Sequence, residues 1–334
     1  MYLIRLILFL FILSISIYAP YKAFIGDIPQ KDDSILEVNN GDTINDVFSK
    51  FLPMNYFNNF FSKIYLYFND IRSIQTGEYQ IGNKSFSEIV SALQYGDTIT
   101  YKLKINEGIT IYELEKLIND SYLDNNCSFL KCIETDLPFK EGIMYPDTYF
   151  YKKGMQSSEI LIKSYERLDN YLNIKLNSVQ TKTSLKRADI LILASIIEKE
   201  AGNNNEKLNI ASVFLKRLSI GMRLQADPTI IYGLLPNFDG DIKKSDILDK
   251  NNKYNTYMIY GLPPSPISIS SVSSIDAAID AVPGDYLFFV ADSPTSHYFS
   301  KSYDEHLEMI NKLGLNKWKL FHLRALRELV NQHK

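Results

Sequence analysis

The chain has 334 residues, of which 46% are hydrophobic and 22% are charged, so its length and composition exclude a disordered polymer and allow two or three globular domains. The formal net charge of −3 provides no basic field that would attract phosphate, which argues against a nucleic-acid partner.

The chain begins with a segment that predicts a membrane anchor. Residues 3–19 are apolar except for Arg5 and two serines, and this length is sufficient to cross the hydrocarbon layer. Residues 18–21 form a poor cleavage site, so we predict an uncleaved anchor over residues 1–22, with a cleaved signal peptide as the alternative. The positive-inside rule then places the rest of the chain outside the cytoplasm, which predicts a single-pass inner-membrane protein facing the periplasm.

Residues 31–100 have the pattern of a small α+β module. A strand from Ile35 and a helix that begins after Thr43 are followed by a helix, a strand and a final amphipathic helix. Such a module could bind glycans or serve only as a spacer, and the pattern leaves both interpretations open.

Residues 101–312 predict a larger α+β domain. It starts with a strand at residues 101–106 and includes a helix over residues 157–177. Cys127 and Cys132 could form a disulfide in an oxidising compartment, but their spacing does not decide whether they do. They do not suggest a zinc site, because no histidine is nearby.

A helix from about Arg187 to Ala201 is apolar on almost every side, which predicts that it lies in the centre of a core. Two carboxylates, Glu198 and Glu200, occupy its end. Positions two apart on a helix point about 200° apart, so one carboxylate can face a cleft while the other faces away. Glu200 shares a stripe with the apolar residues four and seven positions earlier, which favours it as the buried one.

The alternative for both carboxylates is a solvated helix end. In that interpretation they pair with Lys199 or Lys207 and have no part in chemistry.

Two polar segments follow that could contact a ligand. In the bend at residues 225–229, Asp227 suits a helix N-cap and Pro228 the first helical position. The loop at residues 253–267 is rich in proline, and its side chains offer the amide, hydroxyl and ring groups that bind neutral sugars, although ordinary turn residues would look the same. The side chains in question are Tyr254, Asn255, Thr256 and Tyr257.

The end of the chain predicts a buried strand and an amphipathic helix. Residues 286–291 form a continuous apolar run, and His297 after it is predicted to be a structural hydrogen-bonding residue near the cleft. The histidines lack enough neighbouring ligands for a metal site. Residues 313–334 predict a basic amphipathic helix that packs on the domain or lies on the membrane surface.

Four segments resemble the YceG-like family of membrane-anchored endolytic murein transglycosylases, over roughly Ile35 to Lys312. The segments are SIIEKEAG, IASVFLKRLSIGMRLQADPTIIYG, YNTYMIYGLPPSPI and YLFFVAD. The resemblance implies a LysM-like module over residues 31–100 and a catalytic α+β domain with a central buried helix over residues 101–312. It also implies that Glu200 is the catalytic acid and base and that Gln225 and Asp227 line the cleft. The chain departs from the family pattern at Ser265, Ser270 and Ser271.

The resemblance implies cleavage of the β-1,4 bond between N-acetylmuramic acid and N-acetylglucosamine to leave a 1,6-anhydro end. No metal or cofactor is expected, and the expected partners are glycan strands, the inner membrane and cell-wall synthesis proteins. Two alternatives stay open: a muramidase-type hydrolase with Asp227 as its second carboxylate, and a membrane-anchored glycan-binding scaffold without catalysis.

Overall fold

The computed structural model describes residues 2–30, 32–178 and 183–315, with only the backbone at residues 2–10, 12 and 13. Within these residues the chain forms two compact units. The N-terminal unit comprises the described residues up to Lys102 together with Phe150–Met155, and the C-terminal unit comprises Leu103–Tyr149 and the described residues from Gln156 onwards. The predicted C-terminal helix at residues 313–334 lies almost wholly outside the described residues.

The N-terminal unit packs helices around a two-stranded antiparallel sheet in which Leu36 is opposite Tyr79. Its elements are α1 (Tyr2–Gly26), β1 (Ile35–Val38), α2 (Ile44–Ser49), α3 (Tyr56–Phe68), β2 (Gly77–Gln80) and α4 (Phe86–Tyr95). The predicted order of strands and helices from Ile35 is confirmed. Local capping explains part of it, because the Thr43 and Ser85 side chains accept hydrogen bonds from the backbone three residues later.

The predicted anchor over residues 1–22 overlaps α1. In the part of the chain that was described, no helix combines the length and the apolar character needed to cross a membrane.

Strands β3 (Tyr101–Ile105) and β4 (Asp147–Tyr151) pair with each other in a second two-stranded sheet. The remaining helices of the C-terminal unit are α5 (Ile111–Asn119), α6 (Ser157–Leu176), α7 (Arg187–Glu200), α8 (Lys207–Ser219), α9 (Asp227–Leu234), α10 (Lys244–Ile247), α11 (Val272–Asp280) and α12 (Tyr303–Lys312). Short 3₁₀ turns occur at Ser128–Leu130 and Asn204–Glu206.

The core of the C-terminal unit is built around α7. Every residue from Ile190 to Ile197 is buried, and the helix packs against α8, α9 and α11. The prediction of a central buried helix is therefore confirmed. Elsewhere in the same unit, Cys127 and Cys132 form the disulfide that the sequence left open.

The last strands form an antiparallel hairpin of β5 (Phe288–Ser293) and β6 (Ser296–Ser300), with Val290 opposite Tyr298. The strand predicted at residues 286–291 starts two residues later, and it is not buried throughout. Buried and half-buried residues alternate along it, because only one face of the hairpin packs against the protein.

Candidate active site

The end of α7 opens onto a cavity of about 560 Å³ in the C-terminal unit. Glu200, the last residue of the helix, lines this cavity. The polar side chains around it come from separate elements, so the site exists only in the folded unit. They are Arg217 from α8, Gln225 just before α9, Asp227 at its first position, Asp241, Tyr257, His297 from β6, and His306 from α12.

The Glu200 carboxyl lies in an environment that favours its neutral form. Burial and, to a smaller extent, the negative charge of Asp227 raise its pKa to about 8, against the opposing effect of the positive charge of Arg217. Among the residues that the structure describes, no hydrogen bond to this carboxyl is found. Glu200 is therefore protonated at neutral pH and has its hydrogen-bonding capacity available to a ligand.

Glu198, two residues earlier, faces the opposite way and has a structural role. Its carboxylate accepts hydrogen bonds from the backbone of Ser271 at 3.0 Å, from the hydroxyl groups of Ser271 and Ser274, and from Lys207 Nζ at 3.1 Å. Burial raises its pKa, but the serine hydrogen bonds and the lysine charge outweigh burial, so its pKa is lowered. The alternative in which the carboxylates only pair with a lysine at the helix end therefore fits Glu198, which contacts Lys207, and does not fit Glu200.

The departure from the family pattern at Ser271 has a local explanation. Ser271 is the N-cap of α11, and its side chain accepts a hydrogen bond from the Ser274 backbone while donating to Glu198. The serine therefore joins α11 to the end of α7.

Asp227 is the first residue of α9 and does not cap it. The N-cap position belongs to Ala226, and Asp227 instead accepts a hydrogen bond of 2.6 Å from the Tyr257 hydroxyl. The predicted N-cap role was therefore wrong, because the bend is held by Thr256, whose hydroxyl accepts from the Ala226 backbone at 2.9 Å. Asp227 is left to face the cavity beside Glu200.

Arg217 was not identified from the sequence. It is buried, donates from Nε to the Leu287 carbonyl at 2.8 Å and from Nη1 to the Leu224 carbonyl at 2.5 Å, and lies over the Phe288 ring. Burial lowers its pKa to about 10, so it keeps its charge at neutral pH. The sequence could have identified Arg217 by its position on the same face of α8 as the apolar Ile210 and Phe214, because a charged residue on a buried face is rarely left unpaired.

His297 is held by a carboxylate, as expected of a structural hydrogen-bonding residue near the cleft. Its backbone N–H donates to Glu206 Oε1 at 2.6 Å, and its ring Nδ1 lies 2.9 Å from Glu206 Oε2. Both side chains are largely buried. In the described part of the chain, no three His, Cys, Asp or Glu side chains lie close enough together to hold a metal ion.

The predicted substrate-binding residues fall into two groups. Gln225, Asp227 and Tyr257 line the cavity with Glu200. Asn255 and Thr256 are fully buried, and Asn255 donates hydrogen bonds to backbone carbonyls of the preceding segment, so these two side chains build the loop and present no surface to a ligand.

Tyr254 is half-buried and lies outside the first cavity. Its hydroxyl is 2.8 Å from the Ser265 hydroxyl, and its ring packs against that of Tyr232. Ser265, another departure from the family pattern, is therefore part of the support for this loop.

A second cavity of about 530 Å³ lies on the other side of α9. Ile231 lines both cavities, and Lys199, next to Glu200 in the chain, lines the second one together with Tyr112, Lys116 and Tyr232. The Glu200 carboxyl is thus close to a boundary between two ligand-sized spaces.

Asp227→Asn is expected to move the alkaline limb of the activity profile to lower pH. The Asp227 charge disfavours ionisation of Glu200, so its removal lowers the pKa of Glu200 and shortens the range in which the acid is protonated. The measurement is the pH dependence of kcat/KM for both proteins. An alkaline limb that stays in place would show that another group controls it.

The model of the YceG-like family matches residues 36–312. An endolytic murein transglycosylase of Bacillus subtilis (strain 168) is 32% identical over 203 residues, which are 61% of this chain and 54% of that protein. A protein of the same name from Streptococcus pneumoniae (strain ATCC BAA-255 / R6) is 25% identical over 205 residues, which are 58% of this chain and 37% of that protein.

The chain thus spans about half or less of the length of these curated relatives. Among solved structures, a yceG-like protein from Listeria monocytogenes is 27% identical with a TM-score of 0.53, covering 82% of this chain and 98% of that one. The family model covers most of the chain, including the α7 helix and both cavities, and the chain belongs to the YceG-like family.

Proposed function

We propose that this protein is an endolytic lytic transglycosylase that cuts the β-1,4 bond between N-acetylmuramic acid and N-acetylglucosamine inside peptidoglycan strands. The observation that carries the proposal is the position of the Glu200 carboxyl, which lies half-buried on the wall of a cavity, has no hydrogen bond to the described residues and has a raised pKa. The curated relatives are named for the same activity.

The first step is protonation of the leaving oxygen. Glu200, neutral at physiological pH, donates its proton to the glycosidic oxygen as the bond to the muramyl anomeric carbon breaks and an oxocarbenium-like state forms. The resulting carboxylate lies within the field of Arg217, whose positive charge favours the ionised form. Asp227 supplies negative charge to the same cavity, where it stabilises the cationic sugar.

The second step returns the proton. The Glu200 carboxylate takes the proton of the muramyl 6-hydroxyl while that oxygen attacks the anomeric carbon of the same sugar, which closes a 1,6-anhydro ring. One carboxyl group is sufficient, and no water is consumed. The hydrolase alternative needs a second carboxylate for water. Asp227 and Asp241 both line this cavity, and Asp227 is the stronger candidate because its charge acts on Glu200.

Two adjoining cavities support cleavage inside a strand. Because Ile231 lines both, a polymer can occupy space on each side of α9 with the scissile bond near Glu200. We also propose that the protein is a single-pass inner-membrane protein in which the chain after the anchor lies in the periplasm, where glycan strands and cell-wall synthesis proteins are its partners. This location is supported by the apolar run at residues 3–19.

The decisive experiment is digestion of purified sacculi by the full chain in detergent, followed by mass analysis of the fragments. We expect anhydro-muramyl ends and no reducing muramyl ends. Reducing ends would indicate a hydrolase, and intact strands would indicate a scaffold. Glu200→Gln is the matched control for contaminating activity.

A further inference from the structure

The exposed face of α3 in the N-terminal unit is strongly apolar. Tyr56, Phe60 and Tyr67 form a stripe along the helix with exposures of 89%, 49% and 83%, and Phe57 and Phe68 flank it at 49% and 75%. With roughly 200 Å² for each aromatic side chain, these exposures leave on the order of 700 Å² uncovered, which exceeds the largest apolar patch of a typical soluble monomer.

The inward face of the same helix is apolar as well. Phe61 is buried, and Ile64, Tyr65 and Leu66 pack against the hydrophobic core of the unit. A helix that packs on a globular core and faces water carries polar residues on its outer face, and α3 does not. Water is therefore a poor solvent for the outer face of α3.

The position of α3 on α1 indicates what covers this face. The Phe24 ring lies 6.5 Å from Phe57 and 5.8 Å from Phe61, and the Tyr21 ring lies 5.8 Å from Phe61. The apolar run of the proposed anchor ends at Ala19. At about 1.5 Å per residue, Phe24 lies about 8 Å further along the helix, which is the depth of the headgroup layer next to a bilayer core.

The side chains suit that layer. Tyrosine and phenylalanine rings are typical of the membrane–water interface, and Lys63, the one charged residue of α3, lies on the same stripe between Phe60 and Tyr67, where it can reach anionic headgroups. We propose that the outer face of α3 lies in the boundary between lipid headgroups and acyl chains, as a second membrane contact beside α1. This inference rests on the proposed membrane location of the chain.

The test places a fluorescent probe on the face. Phe60→Trp is made in a Trp318→Phe background, which removes the single native tryptophan, and the full chain is reconstituted in phosphatidylcholine and phosphatidylglycerol vesicles. Lipids brominated close to the headgroup are expected to reduce the emission roughly twofold, whereas aqueous iodide has little effect, because the ring is inserted about 5–10 Å below the surface.

Two matched variants make the outcome decisive. Phe150→Trp, at an exposed site of the same unit, is expected to respond to iodide and not to bromine, and Phe11→Trp in α1 reports whether the anchor itself is in lipid. If brominated lipid quenches the tryptophan at position 11 but not the one at position 60, the inference about α3 is wrong and the membrane location still stands. Loss of quenching at both sites would remove the location and the inference together.

Two other results would also overturn the inference. Protection of position 60 from both quenchers would mean that a protein surface or a second copy covers the face. Bromine quenching at position 150 equal to that at 60 would mean that the unit adsorbs to lipid without using α3.

Discussion

Glu200→Gln is expected to reduce the turnover of sacculi by about 10³-fold or more while the fold is retained. The amide has nearly the volume of the acid but cannot donate a proton to the leaving oxygen or accept one from the 6-hydroxyl. The measurement is the initial rate of anhydro-muramyl release. Glu198→Gln is the control two residues away, and its rate should fall far less, because Glu198 faces α11 and does not line the cavity.

The same substitution is expected to stabilise the protein in alkaline solution. The folded-state pKa of Glu200 is about 8 and the ordinary value is 4.5, so between these pH values the folded protein retains a proton that the unfolded chain has released. Stability therefore falls as the pH rises through this window. Glu200→Gln should be more stable than wild type by about 2 kcal/mol or more at pH 8, with no difference below pH 4.5.

Urea unfolding at pH 4.5 and pH 8 tests this expectation. If the inactive variant has the same free energy of unfolding as wild type at both pH values, Glu200 is solvated in the folded protein. Activity lost at position 198 and kept at position 200 would mean that the other carboxylate is the acid.

Lys207→Met is expected to destabilise the protein by about 3 kcal/mol at neutral pH, because it leaves a buried carboxylate without its cation. Lys207 Nζ contacts Glu198 at 3.1 Å and the hydroxyl groups of Ser271 and Ser273 at 2.8 and 2.9 Å, and both charged side chains are less than 10% exposed. The measurement is the free energy of unfolding by urea at pH 7.

The pH dependence distinguishes loss of the ion pair from general damage to packing. The folded-state pKa of Glu198 is lowered, so its stabilisation is present above the ordinary pKa and is lost as the pH falls through the folded value. The difference between Lys207→Met and wild type should therefore shrink in acid. Lys199→Met is the matched control, since Lys199 is exposed and should change stability by less than about 0.5 kcal/mol. A deficit that persists unchanged at pH 3 would contradict the ion-pair account.

Several features of this protein could be predicted from the sequence because they depend on neighbours within a few residues. The strand and helix order of the N-terminal unit follows from periodicity and from the caps at Thr43 and Ser85, which act over three residues. The burial of α7 follows from its apolar residues on every side. The divergence of Glu198 and Glu200 follows from the helical angle between them, which local geometry sets.

Only the tertiary structure decided which groups surround those residues. Arg217 approaches Glu200 from another helix. The Asn255 side chain donates hydrogen bonds to backbone carbonyls six to nine residues before it, so it does not reach the cleft. A periodic pattern identifies the face of an element that packs, but burial, hydrogen bonding and pKa depend on the atoms brought there by distant segments. The orientation of α3 was decided in the same way, because packing in the folded unit buries Phe61 and leaves Tyr56, Phe60 and Tyr67 exposed.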